Sequence, residues 1–304
     1  MTASYLQRFA GVGRLYGRAG LERLAAAHVA VVGLGGVGSW AAEALARTGV
    51  GALTLVDMDD VCVSNTNRQI QALAPEIGRP KAVVLRERVL AINPECRATA
   101  VQRFFTRSTA AEILSPEAPL CAVADAIDSL SDKCLLVAEC RRLGIGVASS
   151  GGCAGKRDAT AVRVSDMSVT TSDNLLRFVR KKLRHDHGFP RGGKRPQKFD
   201  VPCVWSEELS TGEPQACDAN ADAAGNANAN NAADASSDTN TADANAAAAA
   251  AAPLPGAIAE GESLRPNCEW GYGTAVFVSG VFGFALAGVI AGKIATGEWM
   301  QKSA

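Results

Sequence analysis

The side chains in this sequence best placed to do chemistry are those that would hold a phosphorylated nucleotide. Gly33, Gly35 and Gly38 stand at the spacing G-x-G-x-x-G in VAVVGLGGVGSW, with Gly36 between them. The first glycine permits a tight turn, the second lets the backbone approach a phosphate, and the third lets the following helix pack closely on the strand. Free N–H groups at the start of that helix then face the anion. Alone, the spacing specifies only a nucleotide or dinucleotide, and a glycine turn in an ordinary α/β core would share it. Asp57 closes the second apolar run, where such a pocket places its ribose-binding acid.

The loop after Asp57 departs from a hydride-transfer pocket. It reads DMDDVCVSNTNRQI, placing Asp57, Asp59, Asn67 and Arg68 in one segment, with Lys81 at the start of the next helix. A nicotinamide cofactor needs one acid and apolar room for its second ring. A triphosphate needs cations, and carboxylates for magnesium. Arg68 and Lys81 meet the first need; Asp128 meets the second, with Asp59 as a further candidate. The expected cofactor is therefore ATP with magnesium, the metal held by Asp128 through the nucleotide.

These residues need a frame. Val29–Asp57 reads as strand, glycine turn, helix and strand. Val84, Leu85, Val89 and Ile92 predict a helix over Lys81–Ile92, stopped by Asn93-Pro94. RATAV at 97–101, LCAVA at 120–124 and Ile145–Ser149 read as strands, with a helix over Lys133–Leu143. Strands separated by helices predict an α/β fold: a Rossmann-like, doubly wound, mostly parallel sheet. Each polar cluster follows a strand, where such a sheet opens its ligand crevice. The expected division is an ATP-binding domain with an N-terminal arm over 1–200, then a C-terminal extension over 201–215 and 253–304 packed on it and containing an apolar helix. Between them, 216–252 is nearly all Ala, Asn, Asp, Thr and Ser, with five aspartates and no basic residue. Lacking branched or aromatic apolar side chains to offset chain ordering, it reads as a disordered insertion.

The chain carries 31 basic and 31 acidic residues over 304, which argues against wholesale coating of a polyanion but leaves room for a local basic patch. Its nine cysteines contain no C-x-x-C pair, and the N-terminus shows no apolar export segment, so a reducing cytoplasm is expected. No metal-ligand spacing joins His28, His185 and His187. Residues 270–292 are uncharged and long enough to span a bilayer, so association with a membrane through 270–292 is the alternative to a buried helix. Their closely spaced glycines favour the buried helix, and no stable membrane partner is expected.

RFVRKKLRHDHGFPRGGKRPQK, residues 177–198, holds nine Lys or Arg against one Asp. A helix over 175–183 would bury Leu176, Val179 and Leu183 and present Arg177, Arg180, Lys181 and Arg184, with Lys194 and Arg195 in a mobile basic loop beyond. That surface suits the phosphates of a folded RNA. A solvated basic face is the plain alternative. Phe178, Phe189 and Phe199 are candidates for stacking on a base, although Phe178 equally suits a core.

The set Gly33-x-Gly-Gly-x-Gly-Ser39, Asp57-x-Asp59, Asn67-Arg68-Gln69, Lys81 and Asp125-x-x-Asp128 resembles the ubiquitin-activating-like adenylating enzymes, the group containing the molybdopterin and thiamine sulfur-carrier activators. The resemblance implies that Asp57 holds the ribose, Arg68 and Lys81 bind phosphates, and Asp128 acts with magnesium. It also implies a homodimer in which Arg14 reaches the partner's nucleotide. A closer resemblance rests on Gly35–Ile70, INPECR at 92–97, DAIDS at 125–129, Cys140-Arg-Arg, Gly151-Gly152, Cys203-Val-Trp-Ser-Glu207, Cys268 and Phe282-Gly-Phe284. These are similar to the bacterial dehydratases that convert threonylcarbamoyladenosine in tRNA to a cyclic form. The implied reaction is adenylation of the threonyl carboxylate next to the anticodon, with tRNA as partner and Cys203 as a candidate nucleophile. The alternative is activation of the C-terminal carboxylate of a sulfur-relay or ubiquitin-like carrier protein, but the paired C-x-x-C knuckles common in those activators are absent.

Overall fold

A computed structural model describes residues 1–115, 119–193, 197–210 and 273–299. The insertion at 216–252, Lys194, Arg195 and Cys268 lie outside the described residues. Two helices, α1 (Ala3–Arg8) and α2 (Ala10–Ala26), lead into β1 (His28–Val32). There follow α3 (Gly38–Arg47), β2 (Ala52–Val56), α4 (Lys81–Ile92), β3 (Arg97–Val101), α5 (Ala110–Leu114), β4 (Ala122–Asp125), α6 (Leu130–Leu143) and β5 (Gly146–Ser150). The remaining elements are β6 (Val162–Asp166), α7 (Asn174–Asp186), β7 (Pro202–Ser206) and α8 (Val276–Thr296).

The strands form one sheet in the order β3-β2-β1-β4-β5-β7-β6, parallel throughout except that β6 runs antiparallel to β7. The predicted parallel α/β sheet is therefore present. Strands β1, β2 and β4 are mostly apolar and buried along their whole length because helices cover both faces. The order reverses between β1 and β4, which are paired at Val32 and Asp125, so the crevice expected of this topology opens where Gly33 and Ala126 leave the sheet.

Two findings refine the sequence-based expectation for the last third. Composition places residues 201–215 in an extension packed on the domain, yet β7 is an interior strand between β5 and β6. The apolar segment forms α8, whose Val278, Phe282, Leu286, Ile290 and Ile294 are fully buried. Each such side chain contributes about 1.5–3 kcal/mol on burial. Helix α8 crosses the first turn of α3 so closely that a Cβ on Gly283 would lie 2.5 Å from the Val37 carbonyl oxygen. By length and composition alone α8 would suffice to cross a membrane.

Candidate functional site

The glycine turn is built as its spacing requires. Gly33 has φ +87°, and a Cβ there would lie 2.8 Å from the Ala126 carbonyl oxygen; at Gly38 it would meet the Gly33 carbonyl oxygen at 1.7 Å. Around Gly35 there is open space. Among the described residues, the N–H groups of Gly35, Gly36, Val37 and Gly38 donate to no other group of the protein, which leaves an anion cradle at the start of α3.

Asp57 joins this cradle through its carboxylate, which accepts the Leu34 N–H at 2.7 Å and the Asp59 N–H at 2.9 Å. Burial raises its pKa, with Lys81 the largest opposing influence. Lys81 is only 6% exposed, and its ammonium sits 2.9 Å from Asp59 Oδ2. Asp59 therefore tethers Lys81, while its own side chain stays 55% exposed. Arg68 packs its methylenes beside Gly36 and donates from Nη1 to the Ser64 carbonyl at 2.8 Å and Asn67 Oδ1 at 2.9 Å. Asp128, three residues past β4, is exposed and makes no hydrogen bond or ion pair among the described residues. Gly33, Gly35, Gly36, Gly38, Asp57, Asp59, Asn67, Arg68, Lys81 and Asp128 thus all come from the loops and helix starts that follow β1, β2 and β4.

Trp40, Gln71 and Thr274, which help shape the crevice, are not singled out by the sequence. The Trp40 indole donates to the Arg68 carbonyl at 3.0 Å, and Asn67 Nδ2 donates to the Thr274 carbonyl at 2.9 Å. Gln71, 1% exposed, donates to the Leu34 carbonyl at 2.9 Å. The start of α8, distant in sequence, thereby supports the arginine loop.

No cluster of three or more His, Cys, Asp or Glu side chains among the described residues is built to hold a metal. Magnesium commonly takes one or two carboxylates together with substrate phosphates, and Asp128 beside the anion cradle fits that arrangement.

Other expected site residues lie elsewhere. Arg14 is exposed on α2 and makes no hydrogen bond or ion pair among the described residues. Cys203 is fully buried on β7, and burial pushes its thiol pKa far up, so it is neither accessible nor activated as a nucleophile. Helix α7 buries Leu176, Val179 and Leu183 as predicted. Its other face, with Arg177, Arg180, Lys181, Arg184 and His185, lines a cleft of about 560 Å³ together with Arg191 from the loop beyond. Arg180 is tethered to Thr170 Oγ1 and Arg184 to the Pro190 carbonyl. Phe189 and Phe199, both candidates for stacking on a base, are each 3% exposed and pack edge to face against one another, which withdraws them from that role.

The sequence profile of the ThiF family matches residues 7–259. The Escherichia coli tRNA threonylcarbamoyladenosine dehydratase is 49% identical over 205 residues, spanning 67% of this chain and 75% of the relative. The Bacillus subtilis protein of the same name is 42% identical over 193 residues, 64% of this chain and 75% of that one. The crystal structure of the E. coli tRNA N6-threonylcarbamoyladenosine dehydratase in complex with ATP superimposes with a TM-score of 0.74 at 36% identity, covering 99% of both chains.

Proposed function

The chain belongs to the ThiF family, in its tRNA threonylcarbamoyladenosine dehydratase branch, and from that premise we propose that it uses ATP to cyclise threonylcarbamoyladenosine in tRNA. The observation that carries this reading is the open N–H cradle with Asp57, Arg68, Lys81 and Asp128 around it, on a fold shared over nearly its whole length with an ATP-bound dehydratase.

The chemistry follows from what a carboxylate lacks. Its leaving group would be oxide, so it must first be activated. A threonyl carboxylate oxygen attacks the α-phosphorus, a new acyl–oxygen–phosphorus link forms, and the bond to the β-phosphate breaks to release pyrophosphate. The substrate's own carbamoyl group then attacks the acyl carbon and gives up a proton to solvent, and AMP leaves with the carboxylate oxygen; that oxygen, the carbamoyl proton and the proton of the carboxylic acid make up the net loss of water. Both partners belong to one molecule, so proximity supplies much of the rate. The protein's part is binding and charge compensation. Asp57 accepts from the ribose hydroxyls, the cradle N–H groups and Arg68 receive the phosphates, and Lys81 stands beside them on its Asp59 tether. Asp128 would hold magnesium, which when bound shields the charge gathering on the phosphates. The path needs no cysteine nucleophile, in keeping with the buried Cys203.

The basic face of α7 is the surface proposed for the tRNA backbone, and Arg14, free on α2, is proposed to complete the site of a second copy in a homodimer. Activation of a sulfur-carrier tail is the other reading. The decisive experiment incubates the protein with ATP, magnesium and tRNA bearing threonylcarbamoyladenosine and measures nucleoside masses. Loss of one water from that nucleoside is expected. An unchanged nucleoside, with adenylation of a carrier protein instead, would overturn the proposal.

A further inference from the structure

A lysine with no evident role in the sequence lies beneath the nucleotide crevice. Lys133 on α6, Asp125 at the end of β4 and Ser149 on β5 are all fully buried. Lys133 Nζ donates to Asp125 Oδ2 at 2.8 Å and to Ser149 Oγ at 3.2 Å, while Ser149 Oγ donates to the same carboxylate oxygen at 2.6 Å. The other oxygen, Oδ1, accepts the Ile127 N–H at 3.1 Å. Cys203, paired in register with Ser149, closes the pocket from the β7 side.

A buried ion pair is a poor way to stabilise a core, because the desolvation of two charges rivals their attraction and an apolar pair would serve as well. The position of this one explains its presence. Asp125 is the last residue of β4, and its free oxygen grips the backbone one residue before Asp128. The opposite side of the same loop is fixed by the glycine turn: the Ala126 N–H donates to the Val32 carbonyl at 3.0 Å, and the Ala126 carbonyl abuts Gly33. Residues 126–127 are thus held between the phosphate turn and the Asp125 carboxylate. With two donors on Oδ2, that carboxylate has one orientation, and Oδ1 faces Ile127.

We propose that Lys133 is a positioning residue for Asp128: with Ser149 it locks the Asp125 carboxylate, which in turn sets the loop that presents Asp128 to magnesium and the phosphates. The proposal rests on the reading of Asp128 as the magnesium carboxylate. Outer partners of this kind change metal affinity or activity by about 10- to 100-fold when removed.

The test compares ATP affinity by calorimetry with magnesium present and with magnesium chelated, in the wild type and in K133M, S149A and D128A. The magnesium-dependent gain should vanish in D128A. It should fall by about 10- to 100-fold in K133M and by a smaller factor in S149A, while affinity in chelator stays near wild type in K133M and S149A. A purely structural role would move melting temperature or both affinities together and leave the difference intact. Should K133M fail to fold, S149A decides, since it keeps the ion pair and removes one donor. A full magnesium gain in folded K133M, or in S149A where K133M does not fold, alongside its loss in D128A, would overturn the proposal. A full gain in D128A itself would overturn the assignment of Asp128 and this proposal with it, an outcome recognisable without either of the other variants.

Discussion

The Leu34 amide lies 2.7 Å from Asp57 Oδ2, so the glycine turn and the acid that follows β2 form one hydrogen-bonded unit. With ATP bound as proposed, anything that changes the charge of Asp57 acts on both ends of the nucleotide. Burial raises the Asp57 pKa above the ordinary carboxylate value. ATP affinity should fall as pH drops through that raised value, because the protonated acid loses an acceptor for the ribose. The sign for the empty protein is the reverse: its native state binds this proton more readily than the unfolded chain, so this group's contribution to stability rises as pH falls. D57N should weaken ATP binding by about ten- to hundredfold and flatten the acid limb. Titrations of ATP binding against pH for both proteins check this.

The glycines of the turn should separate by role. A Cβ at Gly38 collides with the Gly33 carbonyl, so G38A should cost about 2–3 kcal/mol of stability together with ATP binding. Gly35 faces open space, so G35A should keep its melting temperature and still bind ATP poorly, because the methyl group takes the place of phosphate. Melting curves and ATP titrations on both variants separate the two effects.

Neutralising Arg177, Lys181 and Arg184 to Gln should weaken tRNA binding and leave magnesium-ATP affinity unchanged. The slope of log affinity against log salt should become shallower by about 0.7–0.9 for each phosphate that is no longer neutralised. An unchanged slope would place the RNA elsewhere.

Arg14 offers a test of assembly. Mixing R14A with D128A protein in equal amounts should regain about a quarter of wild-type activity, since half the dimers are mixed and each contains one intact site. No recovery in demonstrated heterodimers would show that Arg14 serves its own subunit or none.

C203A should retain turnover and lose about 1 kcal/mol of stability, as expected for a small buried side chain. Loss of turnover in a folded C203A would restore the thiol to the mechanism.

The local signals in the sequence are sufficient for the glycine turn, the acid at the end of β2, the parallel α/β sheet and the apolar face of α7. Each depends on residues close together in the chain, where spacing alone sets which groups share a turn or a face. The residues proposed for the nucleotide share one sheet edge for the same reason: each follows a strand of a sheet whose crevice position is dictated by topology.

Tertiary structure decided what depends on distant segments meeting. Hydropathy scores the apolar content of residues 276–296 and is blind to what covers it; only packing across α3 showed which face of α8 is buried and that its start supports Arg68 through Trp40 and Ser279. Cys203, Phe189 and Phe199 have side chains suited to chemistry, and burial removes them from it. Lys133 has no visible role in a helix of mixed charge until β4, β5 and β7 close around it. A residue's type is written in the chain, but its access to water and its partner are properties of the neighbours that folding brings to it.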